Sequence, residues 1–210
     1  MSKFNLPIAN SKSSKPLLIV TSAPSGAGKT TLCDKLLKEF PEIVYSVSCT
    51  TRKPRGAEKD GVDYIFLSTE AFSKRIDAGD FLEYAVVHDN MYGTLKKTVS
   101  DAMEKGHSVI MDIDVVGAAQ VRDIVSSLPD GNVMKDGFID IFINAPSQDI
   151  LRQRLEKRGE DAQHVIEKRL ENAKKEIAES GKFMRLLINS DISEAYEKFK
   201  AIIIDAMKWR

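Results

Sequence analysis

Cysteine is nearly missing from this 210-residue chain: there are two, Cys33 and Cys49. Two cannot make a disulfide scaffold, and no Cys/His spacing suits a zinc site. The usage fits reduced thiols in a cytoplasmic protein. Net charge is missing as well, with 31 Lys plus Arg against 31 Asp plus Glu. No global field therefore draws the chain to nucleic acid or to an anionic membrane, and any anion site must be built locally. No apolar run approaches the roughly 18 residues of a membrane span. The segment 1–15, rich in Ser, Lys and Asn, lacks the apolar stretch of a secretion signal and reads as a loose lead-in. Repeats and low-complexity tracts are also absent.

What is present is material for a core. Apolar residues make up 42%, so intrinsic disorder and fibrous folds are excluded. The length suits one domain with inserted lobes. Short, mostly apolar runs rich in branched residues fall at 17–21, 43–47, 108–113, 138–143 and 186–188. Strands buried on both faces of a parallel sheet read this way. Helical patterns lie between them at 29–40, 95–105, 115–127 and 148–158, and the last runs near 193–209. Ile166, Leu170, Ala173 and Ile177 share one helical face. Strand alternating with helix predicts an α/β fold with a five-stranded parallel core sheet flanked by helices. The stretch 50–92 breaks the alternation with Pro, Gly and short β-like runs at 64–67 and 81–88, which predicts an inserted lobe with a small mixed sheet. The polar segment 128–137 reads as a surface loop. The stretch 152–175 carries 8 Lys/Arg against 5 Asp/Glu, a net +3.

The first predicted strand runs into T-S-A-P-S-G-A-G-K-T-T at 21–31, and a helical pattern follows at once. Strand, glycine-rich loop and helix are the context that a P-loop requires. Ala23, Pro24, Ser25, Gly26, Ala27, Gly28, Lys29, Thr30 and Thr31 are the candidate cradle for the phosphates of ATP. Backbone N–H groups and the positive end of the helix would face the anion. Lys29 can reach the β- and γ-phosphates, and the Thr30 hydroxyl can ligate Mg²⁺. Ala23 stands where the strict pattern has Gly. A P-loop gives nucleotide binding without fixing the reaction. The guanine-reading N-K-x-D segment of GTPases is absent, so a phosphate acceptor must be sought elsewhere.

The inserted lobe opens with S-V-S-C-T-T-R-K-P-R and G-A-E-K-D-G-V-D-Y, and continues with F-L-E-Y-A and M-Y-G-T; a strand V-I-M-D-I-D-V-V-G-A follows it. In these motifs, over about 17–205, the chain resembles the guanylate kinase family of P-loop nucleoside monophosphate kinases. The resemblance implies ATP-dependent phosphorylation of GMP, and of dGMP, in purine nucleotide metabolism, with Mg²⁺ as cofactor. It implies small-molecule substrates and no obligate protein partner. The domain 16–210 then divides into a core (16–47, 95–150, 176–210), a GMP-binding lobe (48–94) and a helical lid (151–175).

Within that frame Arg52 and Arg55 can fork a dianionic phosphate, with hydroxyl donors from Tyr64 and Tyr92. Glu83 is the candidate guanine reader, because a carboxylate can accept from both N1–H and the 2-amino group. Ser48, Gly93 and Thr94 match other acceptor-contacting positions. Alternation points Asp112 and Asp114 the same way at the end of a core strand. By family analogy they serve the acceptor nucleoside and the Mg²⁺ shell, Asp112 through water, with the two roles undivided. Arg154 and Arg158, four apart on one helix face, and Arg169 from the next helix would close over the transferring phosphoryl group. Asn189 in L-I-N-S-D would approach the adenine, although the family usually has N-D-D there. His88, His107 and His164 receive no catalytic role. Two other readings stay open: a catalytically silent peptide-binding module, and a kinase of this fold with another acceptor. The retained Gly26, Gly28, Lys29 and Thr30 weigh against the first, and Glu83 with Ser48 and Thr94 against the second.

Overall fold

Strand β1 (Leu18–Ser22), buried at every residue, lies at the centre of a computed structural model that describes residues 15–87, 89–159 and 161–208. All of the expected lead-in but Lys15, together with His88 and Trp209, lies outside the described residues. Helix α1 (Lys29–Glu39) and β2 (Ile43–Tyr45) follow β1. The chain then builds a lobe from β3 (Cys49–Thr50), β4 (Ile65–Phe66), α2 (Thr69–Asp77), β5 (Phe81–Val87) and β6 (Asn90–Leu95). It returns through α3 (Lys96–Glu104) to β7 (Ser108–Asp112), α4 (Val115–Ser127), α5 (Val133–Asp136) and β8 (Phe138–Asn144). Helices α6 (Gln148–Arg158) and α7 (Gln163–Ala178), strand β9 (Arg185–Ile188) and helix α8 (Ile192–Lys208) complete it.

The five predicted core strands form one sheet in the order β2-β7-β1-β8-β9, with every neighbouring pair parallel. Parallel strands need crossovers, and the helices that supply them cover both faces. On one face Leu32, Leu36, Leu151, Leu170 and Phe199 pack on Ile19, Ile110 and Ile141. On the other, Val99, Met103, Val121 and Met134 pack on Leu18, Val20 and Val109. Leu82 of β5 joins this second cluster and so anchors the lobe to the core. The lobe sheet has the order β4-β3-β6-β5 and is mixed: β3 pairs parallel with β4 and antiparallel with β6. Its own small core contains Cys49, Phe72 and Phe81.

Two helices depart from the sequence reading. The segment 128–137, read as a loop, contains α5: the Asn132 side chain accepts from Met134 N–H at 3.0 Å, and the Met134 side chain is buried. A four-residue helix with one buried side chain gives no period to see. In the lobe, Ser68 caps α2 by accepting from Ala71 N–H at 3.1 Å, and Phe72 stacks on Phe81 with ring centroids 4.4 Å apart.

Among the described residues, one charge is fully buried in the core. Asp140 of β8 is 0% exposed. It accepts from Arg122 Nε at 3.0 Å and Nη2 at 2.6 Å, and from Met184 N–H at 2.7 Å. The carboxylate thus ties β8 to α4 and to the approach of β9. A buried pair adds little over an apolar replacement, but breaking one strands the remaining charge. Asp140→Ala should therefore lower the free energy of unfolding by about 3–5 kcal/mol. A urea titration checks this, and a loss below about 1 kcal/mol would show that water solvates Arg122 adequately.

Candidate active site

The cradle at 23–28 hangs between the end of β1 and the start of α1. Gly28 caps α1 without a side-chain partner, so the first-turn N–H groups stay available to an anion. Parallel register sets Thr21 against Asp112 and so brings the end of β7 beside the loop. Lys29 Nζ forms an ion pair with Asp112 and donates to Ile113 O at 3.2 Å. Thr30 and Thr31 are exposed in the first turn of the helix. Lys29, Thr30, Asp112, Arg158 and Glu176 line the groove over the cradle. Glu176 of α7 was not legible in the sequence, since nothing distinguishes it from other charged helix residues. Burial raises its carboxyl above the ordinary glutamate range, while the Lys29 charge opposes that shift.

Side chains from distant parts of the chain brace the loop. Asn189 is 2% exposed, and its Nδ2 donates to Ala27 O at 2.7 Å. It lines a groove with Arg154 and Arg158, but its amide is turned under the loop. Arg154 Nη2 donates to the carbonyls of Asn189 and Ser190 at 2.9 and 3.3 Å. Arg169 Nη1 donates to Ser25 Oγ at 2.9 Å, and its Nη2 to Asp161 at 3.0 Å. Of the three expected arginines, Arg158 lines the cradle groove, Arg169 holds the loop at Ser25 and Arg154 lies beside it at Asn189 and Ser190.

Asp112 and Asp114, expected from alternation to face the same way, have different partners. Strand β7 ends at Asp112, so the period of two does not extend to Asp114. Asp114 instead caps α4, accepting from Gly117 N–H at 2.7 Å.

In the lobe, Arg52 is 9% exposed. It forks onto Glu58 at 2.9 and 2.8 Å, and its guanidinium lies 5.2 Å from the Tyr64 ring centroid. The Tyr64 and Tyr92 rings meet edge-on at 6.1 Å. The Arg52 fork and the Arg55 N–H hold the Glu58 carboxyl down at about 2. Arg55 itself is exposed and contributes that N–H at 2.7 Å. Glu58 thus gathers both arginines, Arg52 through its guanidinium and Arg55 through its backbone N–H. Glu83 is 7% exposed and sits opposite Thr94 in the β5–β6 pairing, where Gly93 faces Tyr84. Burial raises its carboxyl above the usual range and Asp114 adds to this, whereas hydrogen bonds from Thr94 oppose it. Ser48 Oγ lies 3.4 Å from Thr94 Oγ1, so the hydroxyls and the carboxylate form one polar cluster.

His107 and His164 are exposed and take no part in the cradle groove. Both cysteines are free and buried, Cys33 in α1 against Thr21 and Cys49 in β3. Among the described residues no three metal-ligating side chains cluster. The arrangement can hold two anions, one on helix amides and Lys29, the other by Arg52.

The family profile described as Guanylate kinase matches residues 14–206. The guanylate kinase of Nitratidesulfovibrio vulgaris is 46% identical over 189 residues, 90% of this chain and 86% of that protein. That of Campylobacter jejuni strain RM1221 is 43% identical over 194 residues, 92% of this chain and 90% of its own. Among solved structures, the crystal structure of guanylate kinase from Anaplasma phagocytophilum is similar, with a TM-score of 0.67 and 31% identity. It aligns over 93% of this chain and 88% of that one.

Gly28 is where the cradle tolerates least. Its φ is +91°, and a Cβ there would stand 2.4 Å from Asn189 Nδ2. Gly28→Ala should lower stability by about 1–3 kcal/mol through backbone strain and displacement of Asn189. It should also weaken nucleoside triphosphate binding about tenfold or more by distorting the loop. Chemical denaturation and calorimetric titration read the two effects, and wild-type values for both would refute this account of the brace.

Proposed function

The chain belongs to the guanylate kinase family and is an ATP:GMP phosphotransferase; we propose that it works by holding the ATP phosphates on the 23–31 cradle and GMP in the lobe 48–94. The observation that carries this reading is the pairing of an intact cradle, with Lys29 beside Asp112, and a buried Glu83 grouped with Thr94 and Ser48. A silent binding module has no need of the first, and a kinase for another acceptor has no need of the second.

A phosphate oxygen of GMP attacks the γ-phosphorus of ATP; the bond from that phosphorus to the β–γ bridging oxygen breaks, giving ADP and GDP. No covalent enzyme intermediate is required when the two phosphates are held in line. Lys29 and the N–H groups of the cradle hold the β- and γ-phosphates. Arg154, Arg158 and Arg169, on the 151–175 lid, spread the equatorial charge of the transition state. Arg52 releases Glu58 to take the GMP phosphate, with Arg55, Tyr64 and Tyr92 as further donors. Closing the lid and the lobe excludes water that would hydrolyse ATP. Asn189 supports the loop and borders the adenine. Thr30 with Asp112 offers hard oxygen donors of the kind Mg²⁺ takes alongside substrate phosphates, and Glu176 lines the same groove. When bound, that ion neutralises charge on the β- and γ-phosphates. No helix among the described residues is long and apolar enough to cross a membrane, and we place the enzyme in the cytoplasm with its nucleotide substrates.

A coupled assay of ADP formation with GMP, AMP, CMP and UMP tests the acceptor. GMP should be preferred by orders of magnitude. Lys29→Met should remain folded and lose about two to four decades in turnover. Wild-type turnover in that variant would remove the cradle from the reaction.

Glu83 carries the base preference. Glu83→Gln should cut kcat/KM for GMP by about one to three decades. IMP lacks the 2-amino group and should lose less, so the GMP-to-IMP ratio shrinks. Burial raises the Glu83 carboxyl, so its accepting form is lost on acidification at a higher pH than for an exposed glutamate. Both substrates carry the same phosphate, whose titration cancels in the ratio. The ratio should fall on the acid side in the wild type and stay flat in Glu83→Gln. A pH-independent wild-type ratio would contradict this role.

A further inference from the structure

We propose that Gln120 is a positioning residue for guanine recognition: its side-chain amide clamps the backbone of Tyr84 and so fixes where the neighbouring Glu83 carboxylate stands. The proposal rests on the reading of Glu83 given above. Strand β5 is the edge of the lobe sheet and pairs with β6 alone. An edge strand has N–H and C=O groups that need partners. At Tyr84 both partners come from one side chain on α4. Gln120 Oε1 accepts from Tyr84 N–H at 3.0 Å, and Gln120 Nε2 donates to Tyr84 O at 3.1 Å. A primary amide carries its donor and acceptor as a peptide group does, so Gln120 replaces a neighbouring strand at this one residue.

The clamp falls where the strand most needs one. The β5–β6 register shifts between Phe81 and Glu83, and such an irregularity leaves the ladder locally disrupted. One turn earlier on the same helix face, Gly117 lies against the carboxylate itself: a Cβ there would be 3.3 Å from Glu83 Oε2. Helix α4 thus touches the Glu83 side chain through Gly117 and holds the next peptide through Gln120. The same helix packs Val121 and Val125 into the core. The guanine-reading carboxylate is therefore referenced to the core sheet as well as to the lobe.

The test is kinetic, on the full chain, with Gln120→Leu, Gln120→Glu and Glu83→Gln compared for GMP and IMP. Gln120→Leu removes both hydrogen bonds at similar size. It should raise KM for GMP about tenfold with kcat within about twofold, lower the GMP-to-IMP ratio at least about threefold, and leave KM for ATP unchanged. Gln120→Glu keeps the acceptor for Tyr84 N–H and loses the donor, so its ratio should lie between those of the wild type and the leucine variant. An unchanged ratio in Gln120→Leu, even with a lowered melting temperature, overturns the clamp if Glu83→Gln does lower the ratio; Glu83 then keeps its role without Gln120. Should the leucine variant not fold, an unchanged ratio in Gln120→Glu overturns it in the same way. An unchanged ratio in Glu83→Gln overturns both assignments.

Discussion

A loop that receives a phosphate must leave backbone N–H groups free for it and still hold its shape before the phosphate arrives. Here Ala27 N–H bonds Pro24 O inside the loop, and much of the remaining order is imposed on it. Backbone donors left unpaired away from water are costly, so that remaining order has to come from outside the loop. In this protein Asn189 reaches Ala27 across 162 positions of sequence, and Arg169 reaches Ser25 across 144. Lys29 is fixed from β7 by Asp112 and Ile113. Each of these residues stands at or just beyond the end of a core strand, or on a helix packed over the sheet. The sheet order, with β1 between β7 and β8, is what delivers those braces to one edge.

The lobe meets a different difficulty, a cation that must be presented while nearly buried. Arg52 is supplied with an internal anion, Glu58, and with the face of Tyr64. A phosphate that takes this guanidinium exchanges one charge-assisted fork for another. The side chain then needs no reordering when the phosphate arrives. Glu83 is the reverse case, a buried carboxylate whose cost is offset only in part by Thr94. A ligand with two donors relieves it, which links the burial of this carboxylate to selectivity.

Much of this was legible in the sequence, for identifiable reasons. The three central strands are short, mostly apolar runs buried on both faces, whereas the edge strands β2 and β9 expose Tyr45, Leu186 and Ile188. The cradle has a fixed residue pattern between a strand and a helix. Arg52, Glu83 and Thr94 stand out as candidates because they sit in motifs. What was not legible depends on tertiary approach. Glu58 looks like any loop glutamate until Arg52 folds onto it, and Glu176 and Gln120 look like ordinary helix-surface residues. The period of two that pairs Asp114 with Asp112 runs two residues past the end of β7, where Asp114 has become the cap of α4. Helix α5 was invisible because four residues with one buried side chain make no pattern.

The two thiols have a practical bearing. Burial pushes Cys33 up to about 12 and Cys49 to about 11. Thiolate is the reactive form, so near neutral pH neither presents a nucleophile to alkylating reagents or peroxide. A cysteine introduced at an exposed site on α7 or in the β5–β6 hairpin would then be the reactive one, with no native thiol needing replacement. Spectroscopic labels could be placed in pairs on the lobe and the lid, and the distance between them followed as nucleotides are added, in the otherwise unaltered chain.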